Sequence, residues 1–110
     1  ISARGAQKIG ALNTQGWLAY VHGDRLFLKR FTPVPDAAHA DFGCNVELFT
    51  DEQMLELETL SPLRDVHAGE SVVHREDWYL FRRVDIGHRD TDLGERLAPY
   101  LEMTQPAKGT

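Results

Sequence analysis

The feature that most constrains this chain is a series of short segments in which apolar and polar residues alternate, separated by turn-forming residues. A period of two directs successive side chains to opposite faces of a β-strand. The clearest pair is 16–22 and 25–31. It flanks Gly23-Asp24, a hairpin signal because glycine accepts the positive φ of a two-residue turn. The pattern predicts six strands, over residues 8–13, 16–22, 25–31, 45–50, 54–60 and 71–84.

Segment 54–60 poses a choice between helix and strand. Its Met, Leu and Glu residues individually favour helices. However, Leu55 and Leu57 alternate with Glu56 and Glu58, which is a period of two and not 3.6. We therefore predict a strand.

Two further segments carry signals other than alternation. Residues 32–41 are predicted to form a loop, because Pro33 and Pro35 lack the N–H groups that a central strand donates. Residues 91–103 are predicted to form a short amphipathic helix that begins at a capping threonine and is kinked or split at Pro99. Its apolar stripe consists of Leu93, Leu97 and Leu101.

Strands in series without intervening helices pair antiparallel and form a sandwich or part of one. The predicted fold is therefore all-β: an antiparallel β-sandwich with its strands within residues 8–84 and a short C-terminal helix at 91–103. A chain of 110 residues is one domain at most. We expect residues 1–110 to be a single β-sandwich domain or the C-terminal fragment of a larger one.

Charge and cysteine content argue against several classes of function. The formal net charge of −5 opposes nucleic-acid binding, because phosphate contacts need a basic surface. No apolar run approaches the roughly 20 residues of a membrane span, and the single Cys44 suits a reducing compartment, so we expect a cytoplasmic protein without membrane contact. The histidines show no metal-ligand spacing and there is no glycine-rich phosphate loop, so we expect no metal and no cofactor.

Carboxylates on two neighbouring predicted strands are the residues best suited to chemistry. Alternation places Asn45 and Glu47 on the polar face of one strand, and Glu56 and Glu58 on the polar face of the next. If these strands form a hairpin, Glu47 shares a face with one of the other two glutamates. Adjacent carboxyls repel and one pKa rises unless a cation lies between them; Lys29 is the cation we expect.

Carboxylates beside a lysine and aromatic rings suit a sugar, whose hydroxyls need acceptors and whose C–H surfaces pack on flat rings. The predicted substrate-binding residues are Glu47, Lys29, Asn45 and Trp78. A structural interpretation competes with this one. Alternating glutamates on a strand are most often the solvated face of a half-exposed sheet, Trp17 and Trp78 also suit a core, and His74 and Glu76 suit exposed strand positions.

An ordered series of motifs runs through residues 8–84: GWLAY at 16–20, LFLKRF at 26–31, DFGCNVELFT at 41–50, LELETLSPL at 55–63, AGES at 68–71 and Trp78. The series resembles a bacterial family of unassigned function in the galactose-mutarotase-like, or aldose 1-epimerase-like, superfamily. The resemblance implies the large mutarotase-type β-supersandwich with a sugar-binding cleft.

The resemblance also implies a role for Glu58. In aldose 1-epimerases a strand glutamate within a Leu-Glu-Thr motif takes the proton from the anomeric hydroxyl, and a histidine from an earlier part of the chain protonates the ring oxygen. Leu57-Glu58-Thr59, followed by Pro62 and Gly69-Glu70, is similar in order, so Glu58 takes the role of the base. Because the acid precedes the matched motifs, we expect this chain alone to lack it and to be inactive.

Three hypotheses follow. The chain is an epimerase-like protein acting on a sugar or sugar derivative when complete, or a sugar-binding module without catalysis. Alternatively, it is a structural β-module that forms a homodimer through exposed strand edges, since unpaired edges and apolar faces favour self-association.

Overall fold

The alternating segments form strands in the computed structural model, which describes residues 4–86 and 90–106. Within these residues the elements follow one another as β1 (Gln7–Ala11), β2 (Trp17–His22), β3 (Arg25–Arg30), α1 (Ala40–Gly43), β4 (Val46–Thr50), β5 (Leu55–Thr59), β6 (Asp77–Phe81) and α2 (Asp90–Met103). The β-rich class and the C-terminal helix predicted from the sequence are confirmed. In the described part of the chain, no helix is both long and apolar enough to cross a bilayer.

The described strands form two antiparallel three-stranded sheets, in the orders β1-β4-β5 and β2-β3-β6. The chain divides into two compact units, one around each sheet, and passes between them after Trp17, Arg30 and Glu76. Consecutive strands pair within each unit, whereas β1 and β6 each join a hairpin from a distance along the chain. Each unit therefore depends on one long-range strand pairing.

The β1-β4-β5 sheet is built on the β4–β5 hairpin. Its turn is closed by the Asp51 side chain, whose Oδ1 accepts hydrogen bonds from the backbone N–H groups of Gln53 and Met54 at 2.8 and 2.9 Å. This Asx-type turn sets the register of the two strands, with Thr50 opposite Leu55. β1 pairs along the other edge of β4, from Gln7 opposite Thr50 to Ala11 opposite Val46.

The β2-β3-β6 sheet is built on the predicted hairpin at Gly23-Asp24, where Gly23 has a φ of +61°. Leu26 and Leu28 of β3 are fully buried. Arg30, which shares their face of the strand, donates from Nε to Thr104 Oγ1 at 3.1 Å and from Nη2 to the Leu101 carbonyl at 2.5 Å. The end of α2 therefore lies over this face of the sheet.

The predicted strand 71–84 is wrong in its first half and its last residues, because only Asp77–Phe81 forms β6. β6 pairs with β3, and Asp77 lies opposite Arg30, where β3 ends. The residues before Asp77 are beyond the end of that partner and are irregular. At the other end, Arg83 takes a left-handed conformation, with a φ of 58°, which bends the chain away from the strand direction.

The predicted loop and helix are observed with changed limits. Residues 32–39 are irregular, as predicted, but the last two residues of the expected loop belong to α1. α2 continues through Pro99, so the predicted split into two helices does not occur. The capping role expected for Thr91 concerns a side chain that lies outside the described residues.

Candidate functional site

Glu47 and Glu58 lie directly opposite each other on neighbouring strands. The β4–β5 register pairs Glu47 with Glu58, and Phe49 with Glu56. Side chains of opposed residues point to the same side of a sheet, so the shared face predicted from the sequence is confirmed. We call the side of the β1-β4-β5 sheet that carries Lys8, Gly10, Glu47 and Glu58 the carboxylate face.

The cation beside Glu47 is Lys8, which the sequence analysis did not select. Lys8 Nζ lies 3.2 Å from Glu47 Oε2, and the Glu47 side chain is only 5% exposed whereas that of Lys8 is 59% exposed. The contact depends on the long-range pairing of β1 with β4, in which Gly10 lies opposite Glu47 and Lys8 lies two residues earlier on the same side. Alternation within one strand could not reveal this partner.

A second carboxyl approaches Glu47 from α1. Asp41 forms a side-chain hydrogen bond with Glu47. Its backbone is left-handed, with φ 51° and ψ 55°, and so is that of Phe42, with φ 64° and ψ 29°. Gly43 continues this conformation with a φ of 88°. Left-handed backbone at a non-glycine residue costs on the order of 1–3 kcal/mol and persists only where surrounding contacts determine it.

The contact with Asp41 raises the pKa of Glu47. Two carboxyls share a hydrogen bond only when one of them carries a proton, which favours the neutral acid. Burial of Glu47 raises its pKa further, while Lys8 acts in the opposite direction and is outweighed. The hydrogen bond to Glu47 in turn raises the pKa of Lys8 above its ordinary 10.5. The carboxylate face thus holds a glutamic acid that keeps its proton to a higher pH than an ordinary one.

Replacing Asp41 with asparagine is expected to lower the pKa of Glu47, because asparagine tolerates left-handed backbone but carries no charge. Replacing Lys8 with methionine is expected to raise it. The glutamate carboxyl signals in a carbon-13 NMR titration measure both shifts. Arg25→Met serves as the control, because Arg25 and its ion-pair partner Asp24 both lie in the unit that does not contain Glu47. An unchanged Glu47 pKa in Asp41→Asn would show that Asp41 is not the group that raises it.

The same pKa determines the sign of a pH effect on stability. Because the pKa of Glu47 is higher in the folded chain than its ordinary 4.5, its contribution to stability is complete below about pH 4.5. That contribution is lost as the pH rises through the folded-state pKa. Urea unfolding, measured from about pH 4.5 to above the folded-state pKa of Glu47, should therefore show a smaller loss of stability with rising pH for Asp41→Asn than for the wild type.

Gly10 leaves space on the carboxylate face for Cys44. A Cβ atom added at Gly10 would lie 2.6 Å from Cys44 Sγ and 3.8 Å from Glu47 Cγ. The thiol, which is half-buried, therefore occupies the position that a side chain opposite Glu47 would fill. The glycine thereby lets a neighbouring side chain approach the sheet closely.

Asn45 uses both of its polar side-chain atoms within the chain. Its Oδ1 accepts from the Asn13 backbone N–H at 2.6 Å, and its Nδ2 donates to the Asn13 carbonyl at 2.7 Å. Asn13 in turn accepts hydrogen bonds from Gln15 N and Gly16 N through its own side chain, both at 2.9 Å. Asn45 is 1% exposed, so its side chain holds the turn between β1 and β2.

The two other predicted sugar ligands lie in the β2-β3-β6 sheet. Lys29 and Trp78 are opposite each other in the β3–β6 pair, and Lys29 Nζ is 5.3 Å from the centroid of the Trp78 ring, a cation–π distance. Phe27 meets the same ring edge-on at 5.6 Å. Trp78 is 66% exposed, so the alternative prediction that it packs in a core is wrong.

The structure therefore separates the five predicted site residues into two groups. Glu47 and Glu58 belong to the β1-β4-β5 sheet, with Asn45 directly before β4, and Lys29 and Trp78 belong to the other sheet. Lys8 and Asp41 join the first group without having been predicted. No local signal indicated Asp41, because its position depends on the left-handed turn.

A hydroxyl, an imidazole and a carboxylate meet on the opposite side of β5. Thr59 Oγ1 donates to Glu76 Oε1 at 2.5 Å and lies 2.7 Å from His74 Nε2. Because Thr59 follows Glu58 in the strand, its side chain points away from the carboxylate face. These contacts hold His74 on the side of β5 opposite to the carboxylate face.

Within the described part of the chain, no three histidine, cysteine or acidic residues converge as a metal site. Comparison of the chain with protein-family models, with curated proteins and with solved structures gave no match.

Proposed function

We propose that this chain is a carbohydrate-binding β-protein that binds an aldose or aldose derivative at the carboxylate face. The observation that carries the proposal is the Glu47–Glu58 pair, with Lys8 and Asp41 beside it. Sugar hydroxyls both donate and accept hydrogen bonds. A face that combines carboxyl groups with an ammonium group can satisfy both directions at once.

The two glutamates are proposed to have different roles, because Lys8 and Asp41 occupy the polar atoms of Glu47. In the proposed complex Glu47, whose side chain is only 5% exposed, keeps its contacts with these two residues, and the exposed ammonium group of Lys8 donates to the sugar. Glu58, which is half-buried, accepts from the anomeric hydroxyl. Following the resemblance, Glu58 is proposed as the general base of an aldose 1-epimerase-like reaction. The acid that would protonate the ring oxygen is left unassigned.

We propose further that the two three-stranded sheets are parts of a mutarotase-type β-supersandwich, as the resemblance implies. Trp78, an exposed ring beside Lys29 in the other unit, is proposed as a separate contact for a sugar. Its variant Trp78→Ala tests that contact separately from Glu58.

Titration with D-galactose and D-glucose, followed through the backbone amide signals in nitrogen-15 NMR, tests the proposal. Saturable shifts are expected for at least one sugar, at amides of β4 and β5. Glu58→Gln should weaken binding about tenfold, because it removes a charged hydrogen-bond acceptor while keeping the shape. The matched control is Glu56→Gln, an exposed glutamate on the same side of the same strand.

Absence of saturable shifts for the wild type would overturn the proposal. Equal weakening by Glu56→Gln and Glu58→Gln would overturn the assignment of Glu58. Exchange spectroscopy between the α and β anomers in the same samples separates binding from catalysis. Anomer exchange no faster than in buffer is the result expected for this chain alone.

A second candidate function is a self-associating β-module. Residues 63–75 are all exposed and irregular, and they include Leu63 and Val73, the latter 87% exposed. Every residue of β1 is exposed as well. Exposed apolar side chains of this kind often mark a protein interface. This candidate requires a mass above 12.4 kDa that rises with concentration in light scattering.

A further inference from the structure

Phe42 holds its aromatic ring entirely in water. Its relative exposure is 109%, the highest among the large hydrophobic residues that the structure describes. A single exposed apolar residue is ordinary on a protein surface. What distinguishes Phe42 is the backbone beneath the ring.

The ring is carried by a turn that a phenylalanine disfavours. Asp41, Phe42 and Gly43 are left-handed in succession, and the Cys44 N–H closes the turn on the Ala40 carbonyl at 3.1 Å. A bulky residue with positive φ is an outlier. An exposed ring makes no contact that would compensate for this conformation, so the turn is held by the groups around it.

One of those groups is the carboxylate face itself. Asp41 hydrogen-bonds to Glu47, and consecutive Cα atoms are about 3.8 Å apart. The Phe42 ring is thus attached one residue from a carboxyl that reaches the Glu47–Glu58 pair. The face that Asp41 reaches offers hydrogen-bonding groups of both kinds, since Lys8 Nζ is 3.2 Å from Glu47.

We propose that Phe42 is the stacking residue of this site, and that its ring packs against the C–H face of an aldopyranose whose hydroxyls bond to the carboxylate face. The inference rests on the proposed function and names the shape of its ligand. A pyranose ring offers a flat C–H surface of about the size of a phenyl ring, with its hydroxyls around the rim. A ring carried on a turn that is closed by a hydrogen bond loses little backbone freedom on binding.

The test uses the whole chain and the two probes D-galactose and D-glucose in the amide titration. Phe42→Ala should weaken binding of every probe that the wild type binds by about tenfold, because the apolar contact is lost. Phe42→Tyr should bind within about twofold of the wild type, since the ring face is kept. Val73→Ala, which truncates another strongly exposed apolar residue of the same unit, should leave binding unchanged.

The outcomes separate the two proposals. If Phe42→Ala binds like the wild type while Glu58→Gln is weakened, Phe42 is not the stacking residue and the proposed function stands. If Trp78→Ala is weakened and Phe42→Ala is not, the sugar binds at the β2-β3-β6 unit and the proposal for Phe42 fails. If the wild type binds neither probe, the proposed function fails and the role of Phe42 fails with it. Because the ring is exposed, Phe42→Ala is expected to keep the wild-type amide spectrum outside residues 40–44.

Discussion

Replacing Asn45 with alanine is expected to lower the free energy of unfolding by about 3 kcal/mol, because the change leaves two backbone groups without partners. The N–H and the carbonyl of Asn13 both bond to the Asn45 side chain, at 2.6 and 2.7 Å. Asn45 is 1% exposed, so water cannot easily replace the lost amide. Urea unfolding followed by tryptophan fluorescence measures the difference.

Two further variants refine this expectation. Asn45→Asp keeps the acceptor for Asn13 N–H but places a carboxylate oxygen against the Asn13 carbonyl, so it should cost as much as the alanine change. Asn13→Ala removes hydrogen bonds at a more exposed turn, and about 1 kcal/mol is expected. If Asn45→Ala unfolded like the wild type and lost sugar binding, Asn45 would be a ligand, as the sequence analysis predicted, and its structural role would be refuted.

Replacing Gly16 with alanine is expected to destabilise the chain by about 3 kcal/mol or more, for two reasons that add. Gly16 has a φ of +81°, where an alanine is strained. Its new Cβ would also lie 2.7 Å from the Phe31 carbonyl oxygen and 3.2 Å from Pro33 Cδ. The first of these is a backbone atom, and Gly16 already accepts a hydrogen bond from Phe31 N–H at 3.1 Å, so neither segment can easily move away.

Gly23 provides a matched control for Gly16. Its φ is +61°, so Gly23→Ala carries similar backbone strain, but no heavy atom lies within 4 Å of the added Cβ. About 1 kcal/mol is expected for this change. The difference between the two variants measures the steric part alone. Equal losses in urea unfolding would show that the Phe31 backbone moves aside, and that the close approach at Gly16 is not rigid.

The contacts of Glu47 define the proposed sugar site. Alternation predicted that Glu47 shares a face with Glu56 or Glu58, and the strand register puts Glu58 opposite it, while Lys8 and Asp41 arrive from β1 and α1. Together they put an ammonium group and a second carboxyl around Glu47, beside Glu58, the proposed base.

The sequence by itself determined the local features of this protein. The hairpin at Gly23-Asp24, and the face that Glu47 shares with one of Glu56 and Glu58, follow from period-two alternation and short turns, because the chain near a turn has few alternative pairings. The β-rich class and the C-terminal helix follow in the same way. For these features, the residues that determine the structure are close together in the chain.

Only the tertiary structure decided the features that depend on distant partners. β1 pairs with β4 across more than 30 residues, and this pairing brings Lys8 to Glu47. β6 is short because β3, its partner, ends at Arg30. Asn45, predicted as a sugar ligand, is instead bonded to Asn13. Alternation specifies which side of a strand a residue occupies, but not which strand lies beside it, and that choice determined the surroundings of Glu47.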